Sequence, residues 1–256
     1  IKKGKQMNEK EQKRYYELGK HYWWLKGKYL LIDKFISLYL NKIKKNEIGN
    51  LKLLDFGCGP GNMLDYLIKY GNVYGVDSSL DAIEFCRYRK YKNISIISDL
   101  PLKFNNESFD IITAIDVLEH IEDDEKNITE LYRLTKQNGL VFINVPAFML
   151  LWGDHDELYF HKRRYLTSHI KNKLIKNNFK ILKISYFESI YFIPLLLVRK
   201  VKKILRRKSS VKQDDFYKFP EFINKILTYT ITWEYYLLKK INMPFGPSII
   251  IVAQKN

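Results

Sequence analysis

Three glycines within five residues constrain this chain more than any other feature. The run Asp55-Phe56-Gly57-Cys58-Gly59-Pro60-Gly61 follows a short apolar stretch, 51–56, and precedes a helical pattern over 62–70. Glycine tolerates positive φ and lets a backbone close in on a ligand. A strand feeding such a turn, with a helix after it, is the context of a ligand-binding loop. Open α/β sheets hold their ligands beyond the carboxyl ends of the strands.

The pattern that follows agrees with that context. Apolar runs at 73–76, 94–97, 109–114 and 140–145 read as strands, and 80–89 and 123–134 read as helices. A helix over 167–178, a strand over 180–186 and a last strand over 248–253 complete the series. Short apolar strands alternating with helices predict an α/β fold, a doubly wound, mostly parallel sheet of seven strands. Residues 8–45 read as helical, with Trp23, Trp24, Leu30, Leu31, Ile32, Phe35, Leu38 and Tyr39 on one stripe. The expected division is an N-terminal helical cap over 1–50, a core over 51–186 plus 247–256, and a helical insertion over 187–246.

The loop also narrows the ligand. A dinucleotide loop reads G-x-G-x-x-G, and here the third glycine comes one residue early; the Gly-Lys-Ser/Thr of a phosphate cradle is absent. Asp55 before the loop would repel a diphosphate and suits a ligand carrying an ammonium and a sulfonium. Asp77, ending the second strand, is placed to accept bonds from ribose hydroxyls. Asp99, ending the third, is placed near an adenine amino group, with Leu100 able to pack on the base.

On these residues the chain resembles the class I S-adenosylmethionine-dependent methyltransferases, in their small-molecule branch, over about residues 50–146. Asp55–Gly61 is similar to that family's first motif, D-x-G-x-G-x-G, which brings in Gly57, Cys58, Gly59 and Gly61. Asp77, with Ser78 beside it, matches the ribose-binding position, and Asp99 the adenine side. Within 109–122, Ile115 and Asp116 match the methionine end. The resemblance implies a seven-stranded Rossmann-like sheet with an antiparallel last strand. It implies S-adenosyl-L-methionine as methyl donor, S-adenosyl-L-homocysteine as product, direct transfer, and no metal. The protein then has to hold an acceptor in line with the methyl group and can remove its proton.

Acceptor candidates follow the fourth and fifth strands. The N/D-P-P-Y/F/W tetrapeptide of amino-methylating adenine enzymes is absent, which argues against base N-methylation. His120 is a candidate base, or else a histidine at a helix start in the acidic stretch 119–125. The segment 151–165 is dense in His, Asp, Arg and Tyr. His155 with Asp156 can form a base and its orienter, Arg163 and Arg164 can grip a carboxylate or phosphate, and Tyr165 adjoins them. The bland alternative is a loop pinned to the acidic core by ion pairs. Trp23 and Trp24, with Lys26 and Lys28, suit a lid over the acceptor or simple helix docking.

Charge separates the rival functions. The net charge is +16, yet residues 51–150 carry 10 Lys/Arg against 15 Asp/Glu, so the positive excess lies entirely on the flanks. That points to basic accessory elements around a neutral-to-acidic site rather than a nucleic-acid coat. Over 186–208, Tyr, Phe, Ile and Leu lead into Arg199, Lys200, Lys202, Lys203, Arg206, Arg207 and Lys208. That pattern suits an anionic membrane surface, RNA or another polyanion, or an insertion helix with solvated cations. The longest apolar stretch, 189–198, holds Pro194 and falls short of the roughly 20 residues a bilayer span needs. Residues 1–20 are charged throughout, and two cysteines exclude a disulfide scaffold. The expectation is therefore a cytoplasmic, at most peripheral membrane enzyme that methylates oxygen on a lipid-linked, glycan or other small acceptor. The alternatives are an RNA methyltransferase and a non-catalytic, methyltransferase-like binding protein.

Overall fold

The computed structural model describes residues 8–43, 49–205, 216–217 and 219–256. Seven strands form one sheet in the order β3-β2-β1-β4-β5-β7-β6. They are β1 (Leu51–Phe56), β2 (Gly71–Asp77), β3 (Ile94–Ile96), β4 (Phe109–Ile115), β5 (Thr135–Pro146), β6 (Phe179–Phe187) and β7 (Ser248–Lys255). Strands β1 to β5 run parallel, and β7 is antiparallel to both β5 and β6. This is the expected doubly wound sheet with its last strand reversed.

Every residue of β4 is buried, because helices cover both faces. On one face Phe35, Ile36 and Leu40 of helix α2 (Trp23–Ile43) meet Ile111, Phe142 and Val252. The other face carries α5 (Asp124–Leu134) and α7 (Thr167–Lys176), whose Ile128, Leu131, Ile170 and Leu174 meet Ile112, Ile143 and Ile251. The period-2 alternation of Ile111 with Ile112 divides the strand between two cores.

The amino-terminal segment is two helices rather than one. Helix α1 (Glu9–His21) opens on a capping box between Asn8 and Glu11 and ends where Tyr22 turns extended. The helix expected over 62–70 shrinks to α3 (Leu64–Leu67) and a single 3₁₀ turn. Helix α4 (Leu80–Tyr88) follows β2, capped by the Ser79 side chain. Strand β5 starts five residues earlier than expected, because a register shift pairs Thr135 with Phe109 across polar residues that read as a loop. Helix α6 (Asp154–Leu158) lies in the loop after β5.

The stretch between β6 and β7 holds α8 (Phe192–Leu205) and α9 (Glu221–Leu238). Helix α9 lies on α2 where Gly27 lets it approach: a Cβ on Gly27 would stand 2.8 Å from Ile231 Cδ1. The expected cap and insertion thus share a helical layer.

Ile231 is fully buried at that crossing. Ile231→Ala is expected to destabilise the protein by about 2–4 kcal/mol, read as a lower urea midpoint. A midpoint within error of the parent would contradict this account of the α2–α9 contact.

Candidate functional site

The glycine loop is built from β1 and clamped by β2. Gly57, Gly59 and Gly61 all have positive φ, at 76°, 49° and 85°. The amides of Gly57 and Cys58 donate to the Val76 carbonyl at 2.8 and 3.0 Å. Asp77 takes the Gly59 amide on one carboxylate oxygen and the Ser79 amide on the other, both at 2.8 Å. From behind, Arg89 Nη1 donates to the carbonyls of Pro60 and Gly61, and Cys86 Sγ to that of Gly59. A Cβ on Gly57 would stand 2.4 Å from Val117, whereas nothing lies within 4 Å of one on Gly59. The loop is held tightly on one side and open on the other.

The acidic residues occupy the carboxyl edge of the parallel strands in different ways. Asp55 is buried beneath the loop and accepts from Thr113 Oγ1 at 2.7 Å. Burial pushes its carboxyl up to about 7, against the Thr113 bond. Asp77 is half-buried, and desolvation raises it despite the backbone bonds it accepts. Ser78 is exposed. Asp99 is exposed and three residues past the end of β3 rather than on it, because that edge strand stops at Ile96. Leu100 is half-buried against the second core. Ile115 ends β4 buried, and Asp116 follows at φ 53°, with its amide on the Asn144 carbonyl.

Asp116 also lines a cavity. The cavity, of about 60 Å³, is walled by Lys28, Asp116, Glu119, His120, His161 and Arg164, among others. Tyr15, Trp24, Tyr159 and Phe216 line it too, with the His155 ring 4.5 Å from Tyr159 and 5.6 Å from Trp24 and Phe216. Lys28 Nζ lies 2.7 Å from Asp116. Burial alone would lower that ammonium, but the Asp116 charge and hydrogen bond, with the Glu188 and Glu119 charges, together outweigh it and hold the pKa above the ordinary value. Trp24 therefore faces the cavity, whereas Trp23 packs on Tyr191.

Several expectations for the loop 151–165 are overturned. His155 is not paired with Asp156 as base and orienter; Asp156 instead holds His161 Nδ1 at 2.9 Å. Arg164 does not present a free fork, because it grips Asp156 through Nε at 2.7 Å and Nη2 at 3.1 Å. Arg163 bridges Asp124 and donates to the Glu122 carbonyl. Tyr165 is buried, its hydroxyl on Asp124 and Leu118. Arg199, read as part of a solvated or membrane-facing run, is buried against Asp156 at 3.4 Å. Lys202 and Lys203, in α8, have side chains outside the described residues, as do Arg206, Arg207 and Lys208 entirely. The common cause is the acidic core: buried Asp156 and Asp124 draw in these cations, since an unpaired buried charge is costly.

Two residues stand out that the sequence reading did not carry among its site residues; of these His161 was weighed only as a metal ligand paired with His155 and set aside. Glu119 is fully buried, and among the described residues neither carboxylate oxygen has a hydrogen-bond partner. Desolvation, then the Asp116 charge, pushes its carboxyl well above the usual range. His161 stands edge-on to His120 at 4.7 Å, and donor atoms of Glu119, His120 and His161 lie within 4.8 Å of one another. His120 ends a separate 3₁₀ turn, not the start of α5. Desolvation, then His161, pushes it down to about 4, although an exposed edge lets water recover part of that penalty. No ion is assigned to the group.

Burial would raise Asp156, but the His161 bond and the two guanidinium charges outweigh it and hold the carboxyl well below the ordinary carboxylate range. A depressed carboxylate stabilises the fold in full above its unfolded pKa, about 4, and loses that contribution as pH falls below it. Asp156→Asn is expected to cost about 3–5 kcal/mol at neutral pH and to flatten the acid limb of stability between about pH 4 and 2. An unchanged acid limb would contradict the assignment.

Comparisons bear on the same region. Residues 54–143 match the family described as "Methyltransferase domain". A ubiquinone biosynthesis O-methyltransferase of Pelagibacter ubique (strain HTCC1062) is 30% identical over 155 residues, 54% of this chain and 64% of that protein. The chain thus spans less than two thirds of that relative. A methyltransferase structure from Archaeoglobus fulgidus, titled as S-adenosylmethionine-dependent, overlays with a TM-score of 0.54 at 20% identity, covering 87% of this chain and 94% of that one. The [4+2]-cyclase SpnF overlays with a TM-score of 0.53 at 17% identity, covering 87% and 80%. At such identities the overlays show the fold alone, and the fold serves more than one reaction.

Proposed function

We propose that this chain, which carries a class I S-adenosylmethionine-dependent methyltransferase domain over residues 54–143, transfers the methyl group to a hydroxyl of a small, lipid-linked acceptor. The observation that carries the reading is the juxtaposition of a clamped glycine loop, open at Gly59, with a partly closed cavity at the ends of β4 and β5.

The residues fit the donor. Nothing occupies the space before Gly59, so a backbone-hugging group can enter there. Asp77 keeps a half-buried carboxylate with lone pairs beyond its two amide bonds, suited to a pair of vicinal hydroxyls. In this reading Gly57, Cys58, Gly59 and Gly61 form the cradle, and Asp77 and Ser78 hold the ribose. Asp99 and Leu100 flank the adenine, while Asp55, Ile115 and Asp116 face the cationic end. The bound donor supplies an electrophilic methyl group; the chain binds, orients and excludes water. Lys28 fixes Asp116, and the rings of Tyr15, Trp24, Tyr159 and Phe216 close the acceptor side.

The lipid-linked acceptor is supported by the outer face of α8 and α9. Ile193, Leu197 and Val201 on α8 and Phe222, Ile226, Tyr229 and Trp233 on α9 are exposed at helical spacing. Against α9 lies an apolar groove of about 580 Å³, lined by Ile190 of the turn before α8, by Tyr229, Trp233 and Leu237 of α9, and by Met243 and Phe245. An outward apolar stripe beside exposed Lys200, Lys225, Lys239 and Lys240 suits a lipid interface on the cytoplasmic side. No helix among the described residues is long and apolar enough to cross a membrane. The O-methylating relative supports transfer to oxygen.

The test is labelled methyl donor with purified protein, offered a membrane lipid extract, soluble catechols, glycans and tRNA. Label in the lipid phase is expected; label in tRNA alone would contradict the reading. Trp233→Glu is expected to abolish co-sedimentation with anionic vesicles at low salt, and parental binding by this variant would remove the interface.

Asp77→Ala is expected to weaken S-adenosyl-L-homocysteine binding by about 1–3 kcal/mol in calorimetry, with the fold intact. Asp55 titrates near 7, and a docking cation favours its ionised form. Cofactor binding should therefore tighten as pH rises through about 7 and release protons below it. A pH-independent affinity would contradict the role given to Asp55.

A further inference from the structure

We propose that His161 is the general base that takes the proton of the acceptor hydroxyl, and that Asp156 is its positioning residue; the inference rests on the methyl-transfer reading above.

The loop after α6 is folded around this pair. The His161 amide donates to the Asp156 carbonyl at 2.8 Å, and its ring nitrogen Nδ1 meets Asp156 Oδ1 at 2.9 Å. The carboxylate cannot turn away. It also accepts from the Gly153 amide at 2.8 Å, from two nitrogens of Arg164, and from Arg199 Nη1 at 3.4 Å. An ionised carboxylate only accepts hydrogen bonds, so the proton of a neutral His161 sits on Nδ1. Nε2 is then the lone-pair nitrogen on a ring that lines the cavity.

The neighbouring groups have separable effects. Arg164 and Arg199 share the Asp156 carboxylate with His161 and fix its position. His120, edge-on and pushed down to about 4, stays neutral at physiological pH and does not compete for the proton. Glu119, buried without a hydrogen-bond partner among the described residues, is held well above the carboxylate range and adds little charge. The His155 ring is taken up in the aromatic wall with Trp24, Tyr159 and Phe216.

The step balances without a further reactant. The hydroxyl proton passes to Nε2 as an oxygen lone pair forms the new C–O bond. The C–S bond breaks with its electron pair left on sulfur, so the sulfonium becomes a neutral thioether. The imidazolium then returns its proton to water. General base catalysis of this kind is worth on the order of 100- to 10,000-fold.

The first test needs no acceptor: nitrogen NMR of ¹⁵N-histidine-labelled protein. His161 is expected as the Nδ1–H tautomer, and Asp156→Asn should mix the tautomers. An Nε2–H tautomer in the parent protein would overturn the proposal. The second uses 3,4-dihydroxybenzoate and the lipid extract as acceptors. His161→Gln and His161→Ala should each bind S-adenosyl-L-homocysteine like the parent yet lose at least ~100-fold in kcat. The fall of kcat on the acid limb of the pH profile should disappear with them, and imidazole should restore transfer to His161→Ala. Undiminished transfer by either variant overturns the base while leaving the methyltransferase reading intact. A parent protein that binds the product but labels no hydroxyl compound overturns that reading, and the base falls with it.

Discussion

The site depends on one clamp, the Asp77 carboxylate across the Gly59 and Ser79 amides. It ties the turn after β1 to the start of α4 at the end of β2. Val76 takes two more loop amides on its carbonyl, and Cys86 and Arg89, at the C-terminal end of α4, engage the loop's carbonyls. The backbone is thereby fixed from both flanks without a side chain intruding at Gly59. A loop pre-organised in this way binds without a large ordering cost. The parallel order of β3, β2, β1 and β4 then sets Asp55, Asp77 and Asp116 along one edge.

A second constraint is electrostatic and shapes the acceptor side. Burying Asp156 and Asp124 in the core, and half-burying Asp116 beside it, required nearby cations. Arg164 and Arg199 answer Asp156, Arg163 and Lys173 answer Asp124, and Lys28 answers Asp116. Most of the charge in the loop after β5 is therefore engaged in ion pairs. What remains is an imidazole steadied by a carboxylate whose other lone pairs are taken.

The legibility of these features in the sequence follows their range. The strands were readable because each is a short apolar run bounded by turn residues, and the glycine loop because its chemistry is local. The pairing of Asp156 was not, since His161 and His155 are equally plausible partners until the chain coils back after α6. Arg199 was hidden in a basic run, though it stands one helical turn after Leu195, which also lines the cavity. Lys28 gave a readable signal: it lies three and four residues from Leu31 and Ile32 on the apolar stripe, where a solvated lysine does not belong. The break at Tyr22 carries no glycine or proline, so propensity alone ran both helices together.

The central claim is that the open side of the glycine loop receives an adenosyl sulfonium rather than a nucleotide phosphate. A crystal structure grown with S-adenosyl-L-homocysteine tests it most directly. The account predicts density for the nucleoside along the backbone at Gly59, with both ribose hydroxyls on Asp77 and the thioether directed toward the cavity walled by Asp116 and His161. Density lodged elsewhere, or a diphosphate against the loop amides, would contradict it.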